Sequence, residues 1–163
     1  AAESLFEAAA LLDEREGDSD TALQLLQRAA DRAPELAAPH AARAALLARL
    51  GRVAEQCTAL VEEARRTPAG SERGARLLEA GRLLAGLERW DEALVTLREA
   101  ALTWAQGREV RLELADLCEA RGLETEALEH LRAALDLTDD GDAAGTKLRR
   151  RAASPTTPRQ RRA

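Results

Sequence analysis

The stretch ERWDEALVTLREAAL (88–102) is followed by LETEALEHLRAALDL (123–137), so that Ala93 is answered by Ala127, Leu97 by Leu131 and Ala100 by Ala134 at a spacing of 34. A single core helix gives no reason for that register to recur. A stack of similar units does, because each unit buries its apolar faces only against its neighbours and needs the same residues again. Apolar residues recur at three- and four-residue steps from Leu5 to Leu137. No window shows the sustained alternation of a strand, so the body is expected to be all helix. Gly17, Gly51, Gly86 and Gly122, with Pro34 and Pro68, punctuate the pattern, placing helices at roughly 3–16, 19–33, 37–50, 53–66, 72–86, 90–104, 108–121 and 124–137.

Composition narrows the class further. Aromatic residues make up 2% of the 163 residues, leaving Ala and Leu to supply the burial. All 29 acidic residues precede Thr146, whereas seven of the 24 basic residues follow it. Residues 1–145 carry 17 basic and 29 acidic side chains, a net of −12, and the remainder carries +7. The chain therefore reads as an acidic body with a basic arm. Cys57 and Cys118 are isolated from each other and from ligand-spaced His, which supports neither a disulfide framework nor a metal site. No 18-residue apolar run and no basic leader region is visible, and no membrane partner is expected. The expected compartment is the cytoplasm, with a lost N-terminal leader left open by the missing initiator Met.

The hairpins align into repeats near 3–36, 37–73, 74–107 and 108–141, with steps of 34, 37 and 34; the longer step falls at the loop-like PAGSERG (68–74). Here the sequence resembles the tetratricopeptide repeat, whose 34-residue helix-turn-helix unit carries a W-x2-L-G-x2-Y, A-x3-F, P pattern. The third unit matches best, with Leu77, Ala80, Gly81 and Leu84 followed by Ala93, Leu97 and Ala100. The fourth offers Leu114, Ala115, Cys118, Ala127, Leu131 and Ala134, and the first Phe6, Ala9, Ala10, Ala22, Leu26, Ala29 and Pro34. Unit two keeps Ala44, Leu47, Gly51, Leu60 and Pro68 but sets His40, Arg43 and Gln56 where the family places large apolar, apolar and small residues. The resemblance implies a right-handed all-α solenoid of four stacked repeats over 3–137, followed by a basic tail over 142–163.

In that family the first helices of successive repeats line a concave face to which partners bind. By position, the resemblance puts Leu11, Glu14, Leu78, Arg82, Leu112 and Asp116 on this face as contacts, with Glu7, Ala41, Ala45, Ala48, Ala85 and Glu119 beside them. Members that clamp a C-terminal carboxylate use Lys, Arg and Asn there, which this sequence mostly lacks, so an amphipathic helix or extended peptide with basic flanks fits better. Leu78 and Leu112 also have a plainer reading as packing between repeats.

The tail TKLRRRAASPTTPRQRRA (146–163) lacks the apolar content of a core, so disorder is expected after about one extra helical turn. Its Lys147, Arg149, Arg150, Arg151, Arg159, Arg161 and Arg162 give an alternative function as a nucleic-acid-associated adaptor, with a log K against log salt slope of roughly −6. The −12 body and the scarcity of aromatics speak against it. A further alternative is an interaction or sensor segment of a multidomain regulatory protein. No phosphate-binding Gly-Lys loop, HExxH or Gly-x-Ser-x-Gly is present, and His40 and His130 stand in different units. Neither an enzyme activity nor a cofactor is expected.

Overall fold

The helix that begins at Ser19 starts at a side-chain cap. Asp18 accepts from the Thr21 backbone N–H at 3.1 Å and from its hydroxyl at 2.6 Å, satisfying an N–H that an opening helix turn leaves without a partner. These bonds hold the Asp18 carboxyl below the usual carboxylate range. The computed structural model describes residue 5, residues 18–138 and residues 143–153, the side chains of 143, 144 and 147 excepted. Eight helices lie among them: α1 Ser19–Arg32, α2 Ala38–Arg49, α3 Val53–Arg66, α4 Ser71–Gly86, α5 Trp90–Thr103, α6 Arg108–Ala120, α7 Glu124–Asp136 and α8 Ala143–Ala153. The expected helix over 3–16 lies outside the described residues apart from residue 5, which is helical.

Each helix packs on the next, and α4 also touches α6, so the chain is a stack of antiparallel pairs α2/α3, α4/α5 and α6/α7. All three pairs are joined by the same turn. Arg52, Arg89 and Leu123 donate their backbone N–H to the carbonyls of Leu47, Leu84 and Cys118, five residues back, at 2.8–3.0 Å. The residue before each donor is left-handed: Gly51 at φ 68°, Glu88 at φ 59° and Gly122 at φ 73°. This is the C-terminal closure that favours glycine, since a Cβ is crowded at positive φ. Gly86, expected as the third turn glycine, is instead the last residue of α4. The turn uses Glu88, two residues later, because the six-residue closure sets its register.

The repeated small residues close the helix pairs as their spacing predicts. Ala22, Ala93 and Ala127 are buried, as are Leu26, Leu97 and Leu131 one turn on. A Cβ on Gly81 would come within 2.6 Å of Leu97 Cγ, so α4 approaches α5 where only glycine fits. Three apolar clusters result, one shared by α1 to α4, one running from α3 to α7, and a small one in which Ala115 and Leu131 meet Leu148 of α8.

Residues 143–153 differ from the expected disordered arm. They form an eleven-residue helix because Leu148 has an apolar seat to enter and Arg151 has acceptors to reach. Tertiary contacts thus order a stretch whose composition alone argues against a core. The rest of the tail, including Arg159, Arg161 and Arg162, lies outside the described residues.

Candidate partner-binding surface

One face of α6 is joined to α4 on one side and to α8 on the other. Along α6 that face carries Glu109, Glu113, Asp116 and Glu119, a three- and four-residue spacing that lines the carboxylates up on one side of a helix. Arginines reach this stripe from both neighbours. From α4, Arg82 places NH2 2.6 Å from Glu109 and Nε 2.7 Å from Glu113; these bonds raise the pKa of its guanidinium further. From α8, Arg151 donates to Asp116 and contacts Glu119 at 2.9 Å. Successive first helices are therefore tied across this face by arginine–carboxylate pairs.

The positions expected to contact a partner divide accordingly. Arg82 and Asp116 lie on this face and are exposed, each within an ion pair. Leu112 is half-buried against the seat of Leu148. Leu78 is a correction: it is 4% exposed, within the core cluster that includes Leu77 and Leu97, because α4 turns both adjacent leucines inward. The exposed positions of α4 are Ser71, Glu72, Ala75, Arg82 and Gly86. Ala45 and Ala48 are exposed on α2. Leu11 and Glu14 lie outside the described residues. Of the alternative nucleic-acid residues, Arg149 and Arg150 are exposed on α8, Arg151 is taken up by Asp116 and Glu119, and the Lys147 side chain is not described.

The second helices are tied in the same manner. Arg98 of α5 grips Glu126 of α7 with two bonds of 2.7 Å, and Arg89 holds Glu92 at the start of α5. Glu92 is thus held by Arg89 just before its own helix, and Glu126 by Arg98 of the preceding unit. Such pairs are half-exposed and contribute little each.

One feature escaped the sequence reading. Between α3 and α5 lies a cleft of about 460 Å³ lined by Cys57, Val61, Arg65, Val95 and Thr96. Val95 is 63% and Leu102 83% exposed, two apolar residues seven apart on one face of α5. That spacing was the available signal, but it coincides with the repeat pattern itself. Both cysteines are buried, and burial raises the pKa of each thiol, that of Cys118 to about 11, which favours the protonated form at neutral pH. Among the described residues no three His, Cys, Asp or Glu side chains gather as metal ligands, and no helix is long and apolar enough to cross a membrane.

No protein-family model matches the chain, and no curated protein matches it. Solved structures do. YrrB, a TPR protein with an unusual peptide-binding site, is similar over 93% of this chain and 76% of its own, with a TM-score of 0.63 at 19% identity. MamA AMB-1 is similar over 91% and 78%, with a TM-score of 0.61 at 21% identity. MamA from Desulfovibrio magneticus RS-1 is similar over 88% and 78%, with a TM-score of 0.57 at 15% identity.

Proposed function

We propose, from its tetratricopeptide-repeat fold, that the protein is a non-enzymatic scaffold for protein–protein interaction that takes a peptide or helical segment along the face of its first helices. The observation that carries the proposal is the carboxylate stripe Glu109, Glu113, Asp116, Glu119, which draws arginines from α4 on one side and α8 on the other. A surface that satisfies two guanidinium groups from its own chain suits a ligand with basic residues flanking an apolar one, by charge complementarity and apolar contact together. Similarity to a TPR protein with a peptide-binding site supports a peptide as the ligand class. Arg82 and Asp116 are contacts, with Leu112 and Ala48 as apolar floor.

The test is selection of binding peptides from a displayed random library, followed by titration calorimetry of the enriched sequences. Basic residues around an apolar anchor are expected, with affinity lost at least tenfold in Glu109→Lys/Glu113→Lys. Enriched peptides of acidic or purely apolar character, or unchanged binding to that variant, reject this face as the site.

A further inference from the structure

The α8 helix is held differently from the rest. It inserts one large apolar side chain, Leu148, whereas α5 buries Leu94, Leu97 and three alanines. Beside Leu148, Ala152 packs against the same cluster and the Arg151 guanidinium reaches Asp116 and Glu119. An element with little buried apolar surface opens more readily than those beneath it. Beneath α8, Ala115 and Leu131 belong to the α6/α7 pair, with Leu112 and Leu135 packed around them. The helix itself is cationic, carrying Lys147, Arg149, Arg150 and Arg151 without an acidic residue.

We propose that this patch, the apolar floor Leu112, Ala115, Leu131 and Leu135 with Asp116 and Glu119 beside it, is a docking site for a cationic amphipathic helix of a partner protein, with α8 as its resident occupant. The inference rests on the first-helix face being the binding surface and names the chemistry of the ligand at its α6 end. The partner helix presents a leucine followed three residues later by an arginine, as Leu148 and Arg151 do. The leucine enters the seat between α6 and α7, and the arginine takes the carboxylate pair. Because α8 fills the site, it competes with the partner, and weakening α8 strengthens capture. Charge gives the site its selectivity: an amphipathic helix with Glu at the arginine position faces Asp116 and Glu119 and is rejected.

The experiment uses a fluorescent peptide with the sequence of residues 143–153, titrated by anisotropy into the full chain and into its Leu148→Asp/Arg151→Glu variant, the helical content of each being checked by circular dichroism. The peptide is expected to bind the variant at least tenfold more tightly than the unaltered chain. Adding Asp116→Lys and Glu119→Lys abolishes that gain, and a peptide carrying Arg151→Glu restores it. Equal affinity for the first two chains, or no binding to either, overturns the proposal, as does binding that survives the two lysines, which marks general attraction to an acidic body. Should the double variant lose helical content beyond α8, hydrogen exchange on the unaltered chain decides instead. Amides of α8 are expected to exchange at least tenfold faster than those of α6 and α7, and equal protection overturns the proposal. If library peptides still depend on Glu109 and Glu113 while the α8 peptide fails, the wider binding face stands and this site alone falls.

Discussion

Units two and three fill one register with opposite chemistry. In unit three the second helix places Ala93, Leu97 and Ala100 at its close approaches, all buried. Unit two places Gln56, Leu60 and Glu63 at the same positions, and they are buried as well. The first helices repeat the contrast, Leu77 against His40, both buried. The stack therefore fixes which positions go inside, and the unit adapts whatever side chain it has there. Glu63 is answered by Arg76 of α4, whose Nε lies 2.7 Å from it, and Gln56 donates to Glu79 at 3.3 Å. His40 has no hydrogen-bond partner for either ring nitrogen among the described residues. Burial, with Arg66 nearby, lowers its pKa, so it stays neutral.

The sharpest way to break this comparison is overpacking the apolar unit. Ala93→Arg is expected to cost on the order of 3 kcal/mol, read as a lowered midpoint in urea. The same change at exposed Val95, two residues on, is expected to stay within about 0.5 kcal/mol. Equal effects at the two positions would remove the packing account of the repeat. Next comes the polar unit. Arg76→Ala leaves the Glu63 carboxylate buried without its partner and is expected to cost about 1–3 kcal/mol. Glu63→Ala restores the small residue of the other units and is expected to be close to neutral, because the ion pair it removes contributes little net stability. Both values come from the same denaturation series.

A smaller effect separates the turns. Unit two closes on Gly51 and unit three on Glu88, both left-handed. Glu88→Gly is expected to raise stability by up to about 1 kcal/mol by relieving the Cβ at positive φ, visible as a higher thermal midpoint. The last prediction is read as a slope. The folded pKa of His40 lies below its unfolded 6.5, so the folded state binds fewer protons. Its contribution is whole above about pH 6.5 and is lost as pH falls toward the folded value. Glu63 works in the opposite sense: burial raises its folded pKa above 4.5, so its contribution is present at low pH and declines as pH rises. His130, also lowered by burial, adds to the His40 trend. His40→Phe is expected to flatten the fall of the urea midpoint between pH 7.5 and 5.5. An unchanged slope would mean that His40 is not neutral by burial.

Much of the fold is legible in the sequence. Helices expected at 53–66, 90–104 and 124–137 appear at Val53–Arg66, Trp90–Thr103 and Glu124–Asp136, because period and punctuation act locally. The site was less legible. Arg82 and Asp116 were expected as contacts by position, but their engagement by Glu109, Glu113 and Arg151 spans 27 to 35 residues, and no local pattern encodes such a pairing. Leu78 was open to a contact and a packing reading because Leu77 and Leu78 are equally apolar, and only the packing of α4 against its neighbours shows that both point inward.

By itself the sequence determined the helical class, the repeat period, the small-residue positions where helices meet and the separation of acidic body from basic arm. These follow from spacing and composition, which the chain carries whether folded or not. Only the tertiary structure decided that Gln56, Glu63 and His40 would be buried in register, that Glu88 would take the left-handed turn position, and that residues 143–153 would become a helix on the acidic face. Each of those outcomes depends on a partner surface supplied by another unit, and its free energy exists only once the units are stacked.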